Sequence, residues 1–319
     1  MNHRLLLLFY ISICLSVFSI TQKTQKQLLP NVIYIYLDDM GYGELGSYGQ
    51  QKIKTPNLDK LAAEGMRFTR HYSSAPVCAP ARACLMTGKH TGHSYIRGNY
   101  ELGGFEDSTE GGQMPLPENT FTMAKLMQEA GYTTGAIGKW GLGMYDNTGN
   151  PNEQGFDYFY GYYCQKQAHN FYPTHLWENG KWDSLRNPFI YVHQKLPEGT
   201  DADSSFEKFI GTDYAITKMA QKTKAFINKN KDKPFFLYYS MVHVHAVIQR
   251  TPDSKPGSDL YEDNTAYMDK LVGKLLKTLD DLKLRKSTLI VFMGDNGTAS
   301  QYANRGTISG KALSGKKGT

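Results

Sequence analysis

The sequence predicts an α/β fold in which a mostly parallel central sheet is flanked by helices. Three observations point there. Strand-like and helix-like stretches alternate along the chain, the order that βαβ units produce. The strand candidates are continuous apolar runs, as expected of strands buried on both faces. Charged and amide side chains fall directly after those runs, at the carboxyl edge where open α/β sheets bind ligands. With 319 residues, 40% of them hydrophobic, the chain can bury one large core or two modest ones.

His3 and Arg4 precede an apolar run from Leu5 to Ile20, which polar Thr21-Gln22-Lys23 closes. A charged start and an apolar stretch shorter than a membrane span predict a signal peptide over 1–22 and a secreted or periplasmic protein with no stable membrane span. Residues 23–319 are then the domain that remains. Cys14 lies inside the leader, but Ile13 before it does not suit a lipoprotein cleavage site.

Asn31 to Leu37 reads as a buried strand ending at Asp38-Asp39. Thr55-Pro56-Asn57 opens a helix through Leu58, Leu61 and Ala62 that Gly65 stops. Met66 to Tyr72 is expected to be a second strand. Thr120 is expected to cap a helix through Met123, Leu126 and Met127, ending at Gly131, and Tyr132 to Ile137 to run as a strand into Gly138-Lys139. From Tyr145 to about Thr200 the chain is aromatic, polar and rich in Gly, Asn and Pro, the composition of an extended insertion with little regular structure. Its aromatics suit either a substrate cleft, stacking on sugar or aryl rings, or the core. A long helix is predicted from Phe206 to Asn228, and a buried strand from Pro234 to Met241, ending near His243 and His245. Tyr261 to Leu282 is amphipathic, with Tyr267, Leu271 and Leu275 on one face. Thr288 to Met293 is the last strand and runs into Gly294-Asp295-Asn296.

The net charge of +6 suits a sulfated polyanion, but no dense Lys/Arg block is present, which argues against a nucleic-acid partner. Beyond the leader, Cys78, Cys84 and Cys164 cannot all pair, so at least one is free or modified.

Adjacent carboxylates at a strand end, Asp38 and Asp39, are costly without a cation beside them. With Asp295 and Asn296 after another strand they make an oxygen-rich set that a hard ion, Ca²⁺ or Mg²⁺, would take. Alone, each pair also reads as a surface cap or a plain turn. His243 and His245 face one side of an extended segment; one suits a general acid or an anion donor, and His243 better suits a structural role. Lys139, between Gly138 and Trp140, and Lys317, in Gly315-Lys316-Lys317-Gly318, are candidate anion binders or plain surface lysines. Arg82 can bond two oxygens in a fork.

Cys78-Ala79-Pro80-Ala81-Arg82 and the run on to Gly88 resemble the maturation motif of the sulfatase family. Asp38-Asp39-Met40-Gly41-Tyr42-Gly43, Thr55-Pro56-Asn57-Leu58-Asp59, Gly138-Lys139-Trp140, Gly155-Phe156-Asp157 and Asp295-Asn296-Gly297 resemble further family segments, in order. From Asn31 to Thr319 the chain is similar to type I, formylglycine-dependent sulfatases of the alkaline-phosphatase superfamily. The resemblance implies an alkaline-phosphatase-like fold and a sulfuric ester hydrolase acting on an aryl or carbohydrate sulfate. It implies Asp38, Asp39, Asp295 and Asn296 as calcium ligands, joined by the residue at 78. Cys78 would be oxidised by a maturation enzyme to formylglycine (3-oxoalanine). One hydroxyl of the hydrate would attack sulfur and the other expel sulfate, a step an ordinary serine lacks. Arg82 would support that residue, and Lys139, His245 and Lys317 would bind the sulfate and assist the leaving oxygen.

Two departures stand out. Many family members carry Lys-Trp-His-Leu-Gly, where this chain has Lys139-Trp140-Gly141-Leu142-Gly143; His169 is a candidate substitute for the missing histidine. The chain also stops just past Lys317, so it is expected to lack a C-terminal subdomain. Two other functions fit the same residues: a phosphodiesterase or phosphonate hydrolase of the same superfamily, or an inactive, truncated binder of sulfated glycans.

Overall fold

The computed structural model describes residues 29–102, 112–187, 213–245, 248–308 and 311–319. The leader expected over 1–22 and the beginning of the helix expected from Phe206 lie outside them. The first apolar run forms β1 (Asn31–Leu37). Its side chains alternate between two cores: Ile33, Ile35 and Leu37 enter one, while Val32, Tyr34 and Tyr36 pack into the other. Covering both faces in this way is what a parallel strand requires.

Six more strands complete the main sheet: β2 (Thr133–Lys139), β3 (Tyr158–Tyr162), β4 (His175–Glu178), β5 (Lys181–Ser184), β6 (Phe235–Met241) and β7 (Thr288–Gly294). Their order is β5-β4-β3-β2-β6-β1-β7. β7, β1, β6, β2 and β3 are parallel, and only β4 and β5 run antiparallel. A separate pair, β8 (Thr307–Ile308) and β9 (Lys311–Ala312), lies after the last strand of the sheet.

Helices cover both faces. Leu58 of α1 (Pro56–Glu64), Ile216 and Met219 of α4 (Ala215–Asn230), and Leu271 and Leu275 of α5 (Leu260–Asp281) join the core of Ile33 and Ile35. Ala79 and Ala83 of α2 (Cys78–Thr87) and Ala124 of α3 (Met123–Glu129) join that of Tyr36 and Tyr238. Among the described residues no helix is long and apolar enough to cross a membrane.

Three expectations are corrected. Met66 to Tyr72 forms no strand: Met66, Phe68 and Tyr72 are 81%, 60% and 82% exposed, and no ladder partner lies beside them among the described residues. Strand propensity without a neighbour to pair with does not make a strand. α3 is capped not by Thr120, whose hydroxyl donates to the Pro117 carbonyl, but by Thr122, which accepts from the Lys125 N–H at 3.2 Å. The stretch from Tyr145 holds β3, β4 and β5, so it extends the sheet. Asn179 and Gly180, both at positive φ (47° and 80°), form a two-residue turn between β4 and β5, the pairing that such hairpins favour. Its aromatics are largely core: Phe159, Tyr160, Tyr162, Tyr163, Phe171 and Trp177 are buried, and Trp182 is exposed.

Candidate active site

Four parallel strands end at one level and deliver their polar residues to the same edge. Register pairs Leu37 with both Met241 and Gly294, and Gly138 with Ser240. Bonding continues past the strand ends, from the Asp38 N–H to the His243 carbonyl (2.8 Å), the Val244 N–H to the Asp38 carbonyl (2.7 Å) and the Asp295 N–H to the Leu37 carbonyl (2.8 Å). Asp38 and Asp39 thus follow β1, Lys139 closes β2, His245 follows β6, and Asp295 and Asn296 follow β7. Gly138 is required by its place: with φ at +117°, an added Cβ would stand 1.7 Å from the Ser240 carbonyl oxygen.

Cys78 opens α2 at the centre of this edge and is 1% exposed. Its thiol points at Asp38 Oδ1 (3.4 Å) and Asp39 Oδ1 (3.8 Å), and Lys317 Nζ approaches its sulfur at 3.4 Å. One turn along α2, fully buried Arg82 donates to Asp295 Oδ2 at 2.8 Å, to the Lys139 carbonyl at 3.0 Å and to the Ser240 hydroxyl. Lys139 Nζ donates to Asp38 Oδ2 at 2.7 Å. Lys317 Nζ bridges Asp39 Oδ2 (2.9 Å) and His245 Nε2 (3.2 Å). Asn296 donates its amide to Asp39 Oδ1 at 2.7 Å, and the Asp39 N–H donates to Asp295 Oδ1 at 3.1 Å. His169 stacks on His245, ring centres 3.7 Å apart and 8° from parallel. Of the eleven residues singled out in the sequence, all but His243 therefore meet in one place.

Burial sets the charges. It lowers His245 to about 4 against the opposing pull of Asp38, so at 3.5 Å from Asp39 the ring is neutral and makes no ion pair. Because Lys317 donates to Nε2, the ring proton falls on Nδ1, which has no partner. Burial, and then His245 and Lys139, hold His169 well below the usual histidine range. Burial would raise Asp38, but the cations around it, Lys139 foremost, hold it well below the usual carboxylate range. Asp295 is pushed up to about 7, by burial first and then by Asp38. Burial, followed by Asp38, raises the Cys78 thiol far above neutrality, so the unmodified residue is a poor thiolate nucleophile here.

These groups fit a hard cation. Oxygens of Asp38 and Asp39 lie within 4.8 Å of each other and of donor atoms on Cys78 and His245. The side-chain oxygen of Asn296 is buried and without a partner. An orphaned amide oxygen and an acid raised by its crowded neighbours are what an oxygen-binding dication would satisfy. His243, by contrast, is fully buried, lowered to about 3 by that burial and bonded to the Tyr214 hydroxyl at 3.1 Å, a structural role.

Two further contributors carry no motif. Ser240 holds Arg82 from within β6; its signal is a lone small polar residue in the apolar run from Pro234 to Met241. Asn99 accepts from the Ala79 N–H at 3.0 Å and pins the beginning of α2. No local pattern marks it.

A family model described as Sulfatase matches residues 30–319. The chain is 34% identical to Arylsulfatase H of Canis lupus familiaris over 84% of its own length, and 31% identical to Steryl-sulfatase of Rattus norvegicus over the same share. It covers 57% and 55% of those proteins, so it spans about half the length of the curated relatives it matches. Among solved structures, Ps i-CgsB in complex with k-i-k-neocarrahexaose superposes with a TM-score of 0.70 at 28% identity, covering 91% of this chain and 62% of that one. The phosphonate monoester hydrolase of Agrobacterium radiobacter shares the fold, with a TM-score of 0.52 at 18% identity.

Proposed function

Because this chain belongs to the sulfatase family, we propose that it hydrolyses a sulfate monoester at the edge built around Cys78. The observation that carries the reading is the place of Cys78: buried at the first turn of α2, between two carboxylates and the Lys317 ammonium. A maturation enzyme would oxidise this residue to formylglycine, whose hydrate supplies the attacking hydroxyl and a second hydroxyl to release sulfate. Asp38, Asp39, Asp295 and Asn296 would hold Ca²⁺, which adds Lewis acidity beside the residue at 78.

The remaining work falls to the chain's own side chains. Arg82 is tied up by Asp295, Ser240 and the Lys139 carbonyl, so it holds the floor of the site. Lys139 and Lys317 present fixed positive charge where sulfate oxygens gain negative charge in the transition state. The leaving oxygen takes its proton from the Lys317–His245 pair, whose nitrogens lie 3.2 Å apart. His169, stacked on that imidazole, limits its rotation and bounds the substrate side. The solved complex with k-i-k-neocarrahexaose supports a carbohydrate ester as substrate. The charged start and apolar run of the sequence over residues 3–20 support export.

Peptide mass spectrometry across Cys78 tests the reading in protein from a host that has the maturation enzyme. Conversion of thiol to aldehyde lowers the peptide mass by about 18 Da, and the converted protein is expected to cleave an aryl sulfate faster than an aryl phosphodiester. Cys78→Ala should abolish turnover and leave melting intact. A retained thiol together with retained activity, or a preference for the phosphodiester, overturns the reading.

A further inference from the structure

Two buried side chains that this chemistry leaves unused, Glu44 and Thr298, lie between the segments that carry the proposed ligands. Glu44 is 1% exposed in the turn after β1, and Thr298 is 5% exposed in the loop after β7. The Thr298 hydroxyl accepts from the Gly41 N–H at 3.1 Å and donates to Glu44 Oε1 at 2.6 Å. Its carbonyl accepts from the Lys317 N–H at 2.8 Å. A single threonine thus ties together the segment of Asp38 and Asp39, the segment of Asp295 and Asn296, and the segment of Lys317.

The contact is closely fitted. A Cβ on Gly41 would stand 2.8 Å from the Thr298 hydroxyl and 3.2 Å from Glu44 Oε2, so only glycine lets the two loops approach. Glu44 is pushed up to about 7 by burial, and its second oxygen lacks a proper hydrogen bond, although Tyr261 lies near. A buried carboxyl with a free oxygen burdens folding, so its place is accounted for by the bond it does make.

We propose that Thr298, braced by Glu44, is a positioning residue that fixes the two ligand-bearing loops against each other and so sets the affinity for the ion. The inference rests on the calcium reading above. Outer partners that orient metal ligands typically contribute about 10–100-fold in affinity, whereas a residue that merely stabilises the fold would leave the folded protein's affinity unchanged.

The test is a calorimetric titration of the ion-free full chain with Ca²⁺ alone, alongside its thermal melting. Thr298→Val, which keeps the shape and removes the hydroxyl, should weaken binding by about 10–100-fold. Thr298→Ser should restore most of the affinity, because the hydroxyl returns. Glu44→Leu should resemble Thr298→Val, and Glu44→Gln, which retains an acceptor oxygen, should fall between. Equal affinity in wild type and Thr298→Val overturns the inference while the calcium reading stands; no Ca²⁺ binding by the wild type overturns both. If Thr298→Val does not fold, Glu44→Leu against Glu44→Gln decides by the same criterion.

Discussion

Arg82 shows how a side chain outside the reaction can dominate its setting. The guanidinium is wholly buried, pairs with Asp295 at 2.8 Å and lies 3.6 Å from Asp38. It also covers the Tyr36 ring at 5.4 Å. Removing one partner of a buried pair leaves an uncompensated charge, which typically costs about 3–5 kcal/mol. Arg82→Met, which keeps the stem and removes the charge, is therefore expected to destabilise the protein by about 3–5 kcal/mol in urea unfolding. A loss below about 1 kcal/mol, the scale of an exposed ion pair, would show that Asp295 is already neutralised by other means. Asp39 carries a different burden. It sits at φ 57°, a left-handed conformation unusual for a residue with a side chain, and there its N–H reaches Asp295 Oδ1. Local sequence cannot disclose that bend, because the pull comes from a residue 256 positions away.

At the level of elements, the cap of α3 gives a direct measure of local against tertiary choice. Thr120 and Thr122 are both able to cap, and composition does not separate them. The Thr122 hydroxyl also donates to the buried Gln154 carbonyl, a contact across 32 residues that fixes the helix start. Thr122→Ala is expected to lower stability by about 1 kcal/mol or more, seen as a shift in urea midpoint at constant slope, while Thr120→Ala should change it far less. Equal shifts in the two variants would contradict the assignment. The same distinction explains which elements were legible. β1 and β6 were readable because a strand buried on both faces must be apolar throughout, and α5 because its buried stripe recurs at helical spacing. β7, equally apolar in sequence, is an edge strand that stays half-buried, with Leu289 exposed. Met66 to Tyr72 misled because apolar content says nothing about whether a neighbour exists. The β4–β5 hairpin was hidden by aromatic and glycine-rich composition, although Asn179-Gly180 carried its turn. The site was more legible than its surroundings, since ligand-type residues directly after strands must gather at one edge of a parallel sheet. Thr298 and Ser240 were not, because their roles depend on loops brought together only by folding.

For the whole molecule, the decisive quantity is the charge enclosed at the carboxyl edge. The chain belongs to the alkaline-phosphatase superfamily, and its mostly parallel sheet brings three carboxylates, Asp38, Asp39 and Asp295, against three cations, Arg82, Lys139 and Lys317. With His245 neutral and all three acids ionised these balance, so a bound dication would leave an excess of positive charge suited to a sulfate ester's anion. Asp295, raised to about 7 without it, would become a full carboxylate beside it. Binding of the ion would thereby be coupled to the folded state, because the unfolded chain has no such convergence of strand ends. Free ion at about 100 times its dissociation constant adds about 2.7 kcal/mol to stability. For a chain of 319 residues that corresponds to a rise in melting temperature of roughly 4 °C. Adding Ca²⁺ to chelator-treated protein should produce that rise, and Asp38→Asn with Asp39→Asn should abolish it. Melting curves that coincide in chelator and in millimolar Ca²⁺ would mean that the three cations already satisfy the acids and that the edge holds no ion.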